Sequence, residues 1–338
     1  MAKTHPGQLE LFSPPPPPKS SFLERIRPRL AEWARDGIYF GTSSWKYSGW
    51  QGLIYNRAYR SQKAFDETCI AEYAETFPTV CADFALYDFP QPATMARIAD
   101  QTPEHFRLSL KVTDRITVFR YPQLPRHGQW AGKANPDFLN PELFQRAFLA
   151  PLAALNGKLG AIIFEFSTFA PLSGMDVWQF TARLEAFLAQ LPPGQHYAVE
   201  VRNHEFLQPH YLAMLQRHKV AHVLSSWTRM PPIVEQLQVP GTLAAEFGVI
   251  RALLRPGRLY AEAVAQFEPY AQIREVNEEL RDGLVQSVER AVEEGRKLFS
   301  YVNNRAEGNA PQTIDAVLEK LEPLRGRRRL GQATGRRP

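Results

Sequence analysis

Eight short apolar runs, separated by segments with helical periodicity, constrain the fold of this chain more than any other feature. The runs span residues 38–43, 79–86, 106–112, 159–166, 197–202, 220–225, 247–254 and 297–302. Helical patterns lie between most of them, for instance at 63–77, 141–156, 175–190, 207–218 and 270–295, and a last one follows at 311–322. This alternation predicts an α/β fold, a parallel (β/α)8 TIM-barrel-like barrel. An open, doubly wound sheet is the alternative, because periodicity does not report closure.

The composition is that of a soluble globular protein. With 338 residues and a hydrophobic content of 44%, the chain can bury one large core or two ordinary ones. No apolar run approaches the roughly 20 residues of a membrane helix, and the N-terminus lacks the apolar stretch of a secretory signal. Cys69 and Cys81 are the only cysteines, too few for a disulfide framework. We therefore expect a cytoplasmic protein without a membrane partner.

The segments outside the alternating pattern have the composition of disordered tails. We assign residues 1–36 to an N-terminal tail, 37–322 to the barrel domain and 323–338 to a basic C-terminal tail. The C-terminal tail has little apolar content and no acidic residue; its arginines are Arg325, Arg327, Arg328, Arg329, Arg336 and Arg337. The remainder keeps 34 of the 40 basic residues against 35 acidic ones and is close to neutral. Such a tail is expected either to contact nucleic acid or only to solubilise the protein.

The N-terminal tail contains a short apolar peptide, QLELF, followed by PPPPP at 14–18. Five consecutive prolines form a stiff, extended spacer. QLELF resembles the peptide by which many bacterial replication and repair proteins bind the DNA sliding clamp, and a short peptide of this kind docks through a few apolar anchors. The residues that would bind this partner are Gln8, Leu9, Leu11 and Phe12. The alternative is that the same apolar residues pack back on the body of the protein.

Charged and amide side chains lie near the ends of several predicted strands. Glu200 and Arg202 share one face of the fifth run, since side chains alternate along a strand. In a barrel, the carboxyl ends of the strands form the active site. Other runs end in a similar way, with Asp83, Lys111, Glu165, Asn303 and Asn304. Because each group is costly to bury unpaired, the pattern predicts either a functional mouth or a structural, salt-bridged rim.

Five motifs of the chain resemble one known family. They are GTSSWKYSGWQGLIYN at 41–56, LKVTDRIT at 110–117, AVEVRNHEF at 198–206, LRPGR at 254–258 and YVNNRAEGNAPQT at 301–313. In this order they resemble the YecE-like family, which carries the conserved domain of unknown function 72. The resemblance covers about residues 37–322 and implies a TIM-barrel-like fold without a settled reaction.

The chain departs from the family pattern at its second predicted strand. Cys81 stands where family members usually have Glu, and Asp83 stands where they have Asn. An activity that depends on that Glu is therefore in doubt here. Cys81 and Asp83 lie on one face of the strand, so Asp83 could supply a carboxylate nearby.

The matching positions define a candidate site. Lys111 and Glu200 are candidate catalytic residues, together with Asp83. Arg202 offers a planar fork for a phosphate or carboxylate. The other expected substrate-binding residues are aromatic faces and amides: Trp45, Tyr47, Trp50, Asn303 and Asn304.

Two functions fit these residues. The first is an enzyme, a hydrolase, lyase or isomerase, acting on a phosphorylated, sugar-like or nucleotide-like small molecule. The second is a non-catalytic, DNA-associated binding module tethered to the sliding clamp through QLELF. A divalent metal would have Glu200, His204 and His222 as candidate ligands, but their spacing is not diagnostic.

Overall fold

The strands of this protein close into an eight-stranded barrel. The computed structural model describes residues 21–86, 88–169 and 174–326. Neighbouring strands pair in parallel and in chain order, and the last strand pairs with the first. The strands are β1 (Ile38–Thr42), β2 (Thr79–Ala82), β3 (Arg107–Lys111), β4 (Leu159–Phe166), β5 (His196–Val201), β6 (Ala221–Ser226), β7 (Phe247–Ala252) and β8 (Lys297–Val302). Each predicted run overlaps one strand, so the barrel prediction is confirmed and the open sheet is excluded.

Helices follow the strands around the barrel. The α-helices are α1 (Phe22–Arg35), α2 (Gln62–Ala74), α3 (Pro92–Gln101), α4 (Asp114–Thr117), α5 (Pro141–Leu143), α6 (Val177–Leu188), α7 (Pro209–Arg217), α8 (Ile233–Gln236), α9 (Tyr260–Phe267), α10 (Glu278–Glu293) and α11 (Ala310–Lys320). The pattern at 270–295 gives the long helix α10 only from Glu278 onward. Asn277 ends the preceding loop because its side chain accepts a hydrogen bond from the backbone N of Leu280 at 3.2 Å, as N-caps do.

Helix α1 corrects the expected start of the folded domain. It lies within the segment that we assigned to the N-terminal tail, yet it packs against β1. Ser21 and Glu24 form a capping box at its start, which satisfies two backbone donors. Its apolar side chains at helical spacing are buried: Ile26, Leu30 and Trp33. The folded unit therefore begins near residue 21 rather than at 37.

Ion pairs join α1 to α11 and the chain beyond it. Arg29 contacts Asp315 and Glu322 at 2.9 Å each. Arg325, the first arginine of the C-terminal tail, pairs with Glu32 and Glu322. The QLELF peptide and the other five tail arginines lie outside the described residues.

The barrel interior is filled by inward-facing side chains from successive strands. At the amino end, Tyr39 and Phe299 stack with their ring centroids 5.0 Å apart, and Phe247 packs edge-on to Phe299. The same interior cluster contains small and aliphatic side chains such as Ala161 and Val223, together with the ring of Tyr301. The carboxyl end, which we call the mouth, is lined by charged residues instead. No helix in the described ranges is both long and apolar enough to cross a bilayer.

Candidate active site at the mouth of the barrel

Five charged side chains form one layer across the mouth, and we call them the ionic layer. They occupy inward-facing positions, which recur at every second residue of a strand, and Arg202 follows Glu200 by two residues. Their side chains are between 0% and 13% exposed. They are Lys111 at the end of β3, Glu165 on β4, Glu200 on β5, Arg202 just after β5 and Arg251 on β7.

Two carboxylates of the ionic layer are neighbours on adjacent strands. Glu165 of β4 lies in register with Glu200 of β5, so their negative charges would repel without cations between them. Arg202 donates from Nε to Glu200 at 2.9 Å and places Nη2 3.0 Å from Glu165. Arg251 reaches across the barrel and places Nη1 2.5 Å from Glu165, and it also bonds Glu200. Each carboxylate is thus held by two guanidinium groups.

Lys111 has a looser contact than the arginines. Its Nζ lies 3.7 Å from Oε2 of Glu165, longer than a hydrogen bond. The ionic layer therefore contains three cations and two carboxylates, one positive charge in excess. That excess, together with donors on Lys111, makes the mouth suitable for an anion.

Electrostatics keep Glu165 ionised. Burial alone would raise its pKa, but Arg202, Lys111 and Arg251 together hold the pKa of Glu165 well below its usual range. Burial also opposes the charge of Arg251, yet Glu200 and Glu165 raise the pKa of its guanidinium well above normal. At neutral pH Glu165 is therefore a carboxylate, and a carboxylate with so low a pKa is a weak base.

Cys81 and Asp83 both lie beside the ionic layer, but Cys81 is buried and Asp83 is exposed. Cys81 is fully buried, and burial raises the pKa of its thiol to about 11, against the opposing influence of Arg251 and Lys111. It is therefore a neutral thiol and a poor nucleophile at pH 7. Asp83 is exposed beyond the end of β2, and its charge adds to the rise in the pKa of Cys81. The structure brings Asp83 to the mouth but not into the ionic layer.

Trp227 is a mouth residue that the sequence analysis did not identify. The guanidinium of Arg202 lies 3.7 Å from the centre of its ring, a close cation–π contact. Trp227 follows directly after β6, so its position at a strand end was the available signal.

The three aromatic candidates after β1 lie mostly inside the protein. Trp50 has no exposed surface, and its ring packs 4.9 Å from Tyr47 and 6.3 Å from Tyr55. Trp45 is 6% exposed and accepts a hydrogen bond from Tyr55 at its backbone carbonyl. Tyr47 also packs against Tyr270, and burial raises the pKa of Tyr47 to about 12. These rings brace the loop after β1, and Trp50 presents no face to a ligand.

Asn303 and Asn304 hold the loop after β8. Oδ1 of Asn303 accepts from the backbone N of Arg305 at 3.0 Å, and Oδ1 of Asn304 accepts from the backbone N of Ala310 at 2.8 Å. Nδ2 of Asn304 is buried without a hydrogen-bond partner among the described residues. Both amide side chains therefore hold the backbone of this loop, and Nδ2 of Asn304 remains as an unused donor among the described residues.

The candidate metal ligands do not meet. His204 has a 69% exposed side chain beside Glu205. His222 points away from the barrel interior toward Tyr211, whose Oη lies 3.5 Å from Nδ1, and burial lowers the pKa of His222 to about 4. In the described ranges, no three His, Cys, Asp or Glu side chains are placed to hold a metal ion.

Comparison with known proteins identifies relatives of the same architecture. A model of the family "Protein of unknown function DUF72" matches residues 39–334. A crystal structure of a DUF72 family protein from Enterococcus faecalis V583 has a TM-score of 0.58 and 19% identity, covering 83% of this chain and 95% of that one. Another, from Thermotoga maritima MSB8, has a TM-score of 0.55 and 17% identity, covering 85% and 99%. At these identities the likeness shows the fold alone. No curated protein sequence matches the chain significantly.

Proposed function

Since this chain belongs to the DUF72 family of proteins of unknown function, we propose that its barrel is an enzyme acting on an anionic small molecule. The ligand is phosphorylated and sugar-like or nucleotide-like, and its anionic group binds at the ionic layer. The observation that carries this proposal is the excess of one cation among five nearly buried charges. Buried net charge is unfavourable without a counter-ion, and the active sites of such barrels lie at this end.

Lys111 and Arg202 are the groups that would bind the anion. The 3.7 Å separation of Lys111 from Glu165 leaves its ammonium donors free to turn toward a phosphate. Arg202 is oriented by Trp227 on its face and by two carboxylates at its edge. Such an oriented guanidinium suits bidentate contact with phosphate or carboxylate oxygens.

Glu165 and Lys111 are the pair best placed for proton transfer. Glu165 is the more exposed carboxylate, 13% against 0% for Glu200. Both carboxylates are held by Arg202 and Arg251, but only Glu165 keeps exposed surface and also lies near Lys111. We therefore assign Glu200 to positioning Arg202 and Arg251, with Lys111 as acid or electrophile and Glu165 as the carboxylate that orients Lys111. A hydrolase, lyase or isomerase reaction would use this set.

Calorimetric titration of the full chain with inorganic phosphate, sugar phosphates and nucleoside monophosphates tests the proposal. We expect Lys111→Met to weaken binding of the preferred phosphate at least about tenfold, since a charge-assisted hydrogen bond contributes about 1.5–3 kcal/mol. Lys320→Met is the control, because Lys320 pairs with Glu278 and Asp282 on the surface. Equal affinity in the Lys111→Met variant and the parent would overturn the assignment, as would a parent that binds none of these anions.

We also propose a tether to the bacterial sliding clamp through Gln8, Leu9, Leu11 and Phe12. Support comes from the QLELF sequence and the polyproline spacer behind it. The arginine-rich end would then add a weak, salt-dependent attraction to nucleic acid. This recruitment is compatible with the enzyme proposal and independent of it.

A further inference from the structure

A cavity of about 620 Å3 lies on the mouth side of the barrel, in the long excursion between β3 and β4. Its volume is in the range of small-molecule sites. It is separate from the ionic layer but begins close to it, because Asp114 on its wall is three residues beyond Lys111. The wall residues used below are Asp114, Arg115, Tyr121, His127, Trp130 and Asp137.

The excursion is a built structure rather than a loose loop. Arg120 and Ala134 form an antiparallel bridge. Asn135, 7% exposed, donates from Nδ2 to the carbonyls of Arg115 and Val118 at 2.8 Å each. These bonds fix the two sides of the cavity relative to each other, so its shape exists before a ligand binds.

One wall of the cavity is aromatic. The ring of Tyr121 lies 5.2 Å from His127 and 6.4 Å from Trp130, centroid to centroid. Trp130 is 45% exposed and lines the cavity, so part of its ring is accessible to a ligand. An aromatic face open to a cavity favours a flat ligand ring with apolar C–H surface.

The other wall carries acceptors and one strong donor. Arg115 pairs with Asp137, Nη2 to Oδ2, at 2.8 Å, and Asp114 adds a second carboxylate at the start of α4. The Arg115–Asp137 pair and the carboxylate of Asp114 place hydrogen-bond acceptors and a guanidinium donor side by side. They suit neighbouring hydroxyl groups, which both donate and accept hydrogen bonds.

We propose that this cavity binds an uncharged sugar ring, stacked on the exposed ring of Trp130, which packs near the buried Tyr121, and hydrogen-bonded to Asp114 and the Arg115–Asp137 pair. The inference rests on the proposed function in one respect: the ring belongs to the ligand whose anionic group occupies the ionic layer. Asp114 follows Lys111 by three residues in the chain, so both sites lie in the segment that leaves the carboxyl end of β3. The substrate class is then a phosphorylated sugar or a sugar bearing another anionic group.

Neutral methyl glycosides separate this site from the ionic layer, because they carry no anion. Saturation-transfer NMR and calorimetry on the full chain, with a panel of methyl pyranosides and furanosides, should detect binding of at least one at ~1–10 mM. Trp130→Ala should weaken that binding by about tenfold. Trp178→Ala is the matched control, since Trp178 is 67% exposed and lies outside the cavity.

The outcomes distinguish this inference from the proposed function. Glycoside binding that survives Lys111→Met but is lost in Trp130→Ala supports the sugar site, whether or not phosphate binds. Phosphate binding should in turn survive Trp130→Ala. Absence of glycoside binding to the parent, or equal binding by Trp130→Ala, overturns the sugar site. A panel in which free nucleobases bind and glycosides do not overturns it as well.

Discussion

Replacement of Glu200 by Gln tests how the ionic layer contributes to stability. Glu200 is 0% exposed and bonds both Arg202 and Arg251. A unit charge pair at 2.9 Å interacts by about 6 kcal/mol at an effective dielectric constant of 20, before desolvation is subtracted. Gln keeps one acceptor oxygen, and Glu165 still contacts both arginines. We expect a net loss of about 3–5 kcal/mol, the cost of breaking a buried pair.

Thermal unfolding followed by circular dichroism or calorimetry measures this loss. For a chain of this length, one kcal/mol corresponds to about 1.5 °C, so Glu200→Gln should melt about 5–7 °C below the parent. Glu185→Gln is the control, because the Glu185–Arg217 pair has a similar distance, 2.8 Å, but exposed side chains; it should shift the melting temperature by about 1 °C or less. If both variants melted within a degree of the parent, the positioning role of Glu200 would be refuted, and direct contact with ligand would become the better account.

Three further predictions follow from burial and from sequence. Burial lowers the pKa of His222 in the folded protein to about 4 from 6.5, so the unfolded chain takes up the proton first as pH falls. The free energy of unfolding of the parent, measured by denaturant titration, should therefore drop by about 3 kcal/mol between pH 6.5 and 4 relative to that of His222→Gln. Plots of unfolding free energy against pH that run parallel for the two proteins would contradict this. Burial raises the pKa of Cys81 to about 11 and of Cys69 to about 12, so a disulfide reagent at pH 8 should label neither thiol in the native protein and both after unfolding. Rapid native labelling of Cys81 would contradict this and show that the mouth opens. A peptide of residues 5–14 should bind a bacterial sliding clamp with micromolar affinity, about −8 kcal/mol, and should lose this affinity when Leu11 and Phe12 are replaced by Ala. If the unmutated peptide does not bind, the proposal of a tether to the clamp is wrong.

The barrel could be predicted from sequence because each strand has a local sequence signal. Apolar runs of four to eight residues report strands, and the helical periods between them report crossovers. The alternation of side chains along a strand would also have predicted that Arg251 faces inward, because it lies two residues beyond Val249 and four beyond Phe247 on β7. Arg251 was not identified because the residues around it in the run FGVIRALL are apolar. Its pairing across the barrel with Glu165 depends on closure, which no local pattern reports.

Burial of the candidate aromatics could not be predicted in the same way. Trp50 stands in a motif that resembles the family's, but both a stacking platform and a core ring are consistent with GTSSWKYSGW. The depth of its pocket depends on Tyr47 and Tyr55, which become neighbours only after the loop folds. Helix α1 is the opposite case: Ser21, Glu24 and the buried positions that follow were readable as a capped amphipathic helix. The neighbouring prolines led to the tail assignment.

Helix α1 belongs to the folded domain but precedes the residues that the family model matches. The family match starts at residue 39, inside β1 and after the whole of α1. A fragment cut there would uncover the wall of the barrel that Leu30 and Trp33 cover, and would leave Asp315 without Arg29. A fragment limited to the matched residues would therefore lack both the apolar cover of β1 and the ion pairs that join α1 to α11.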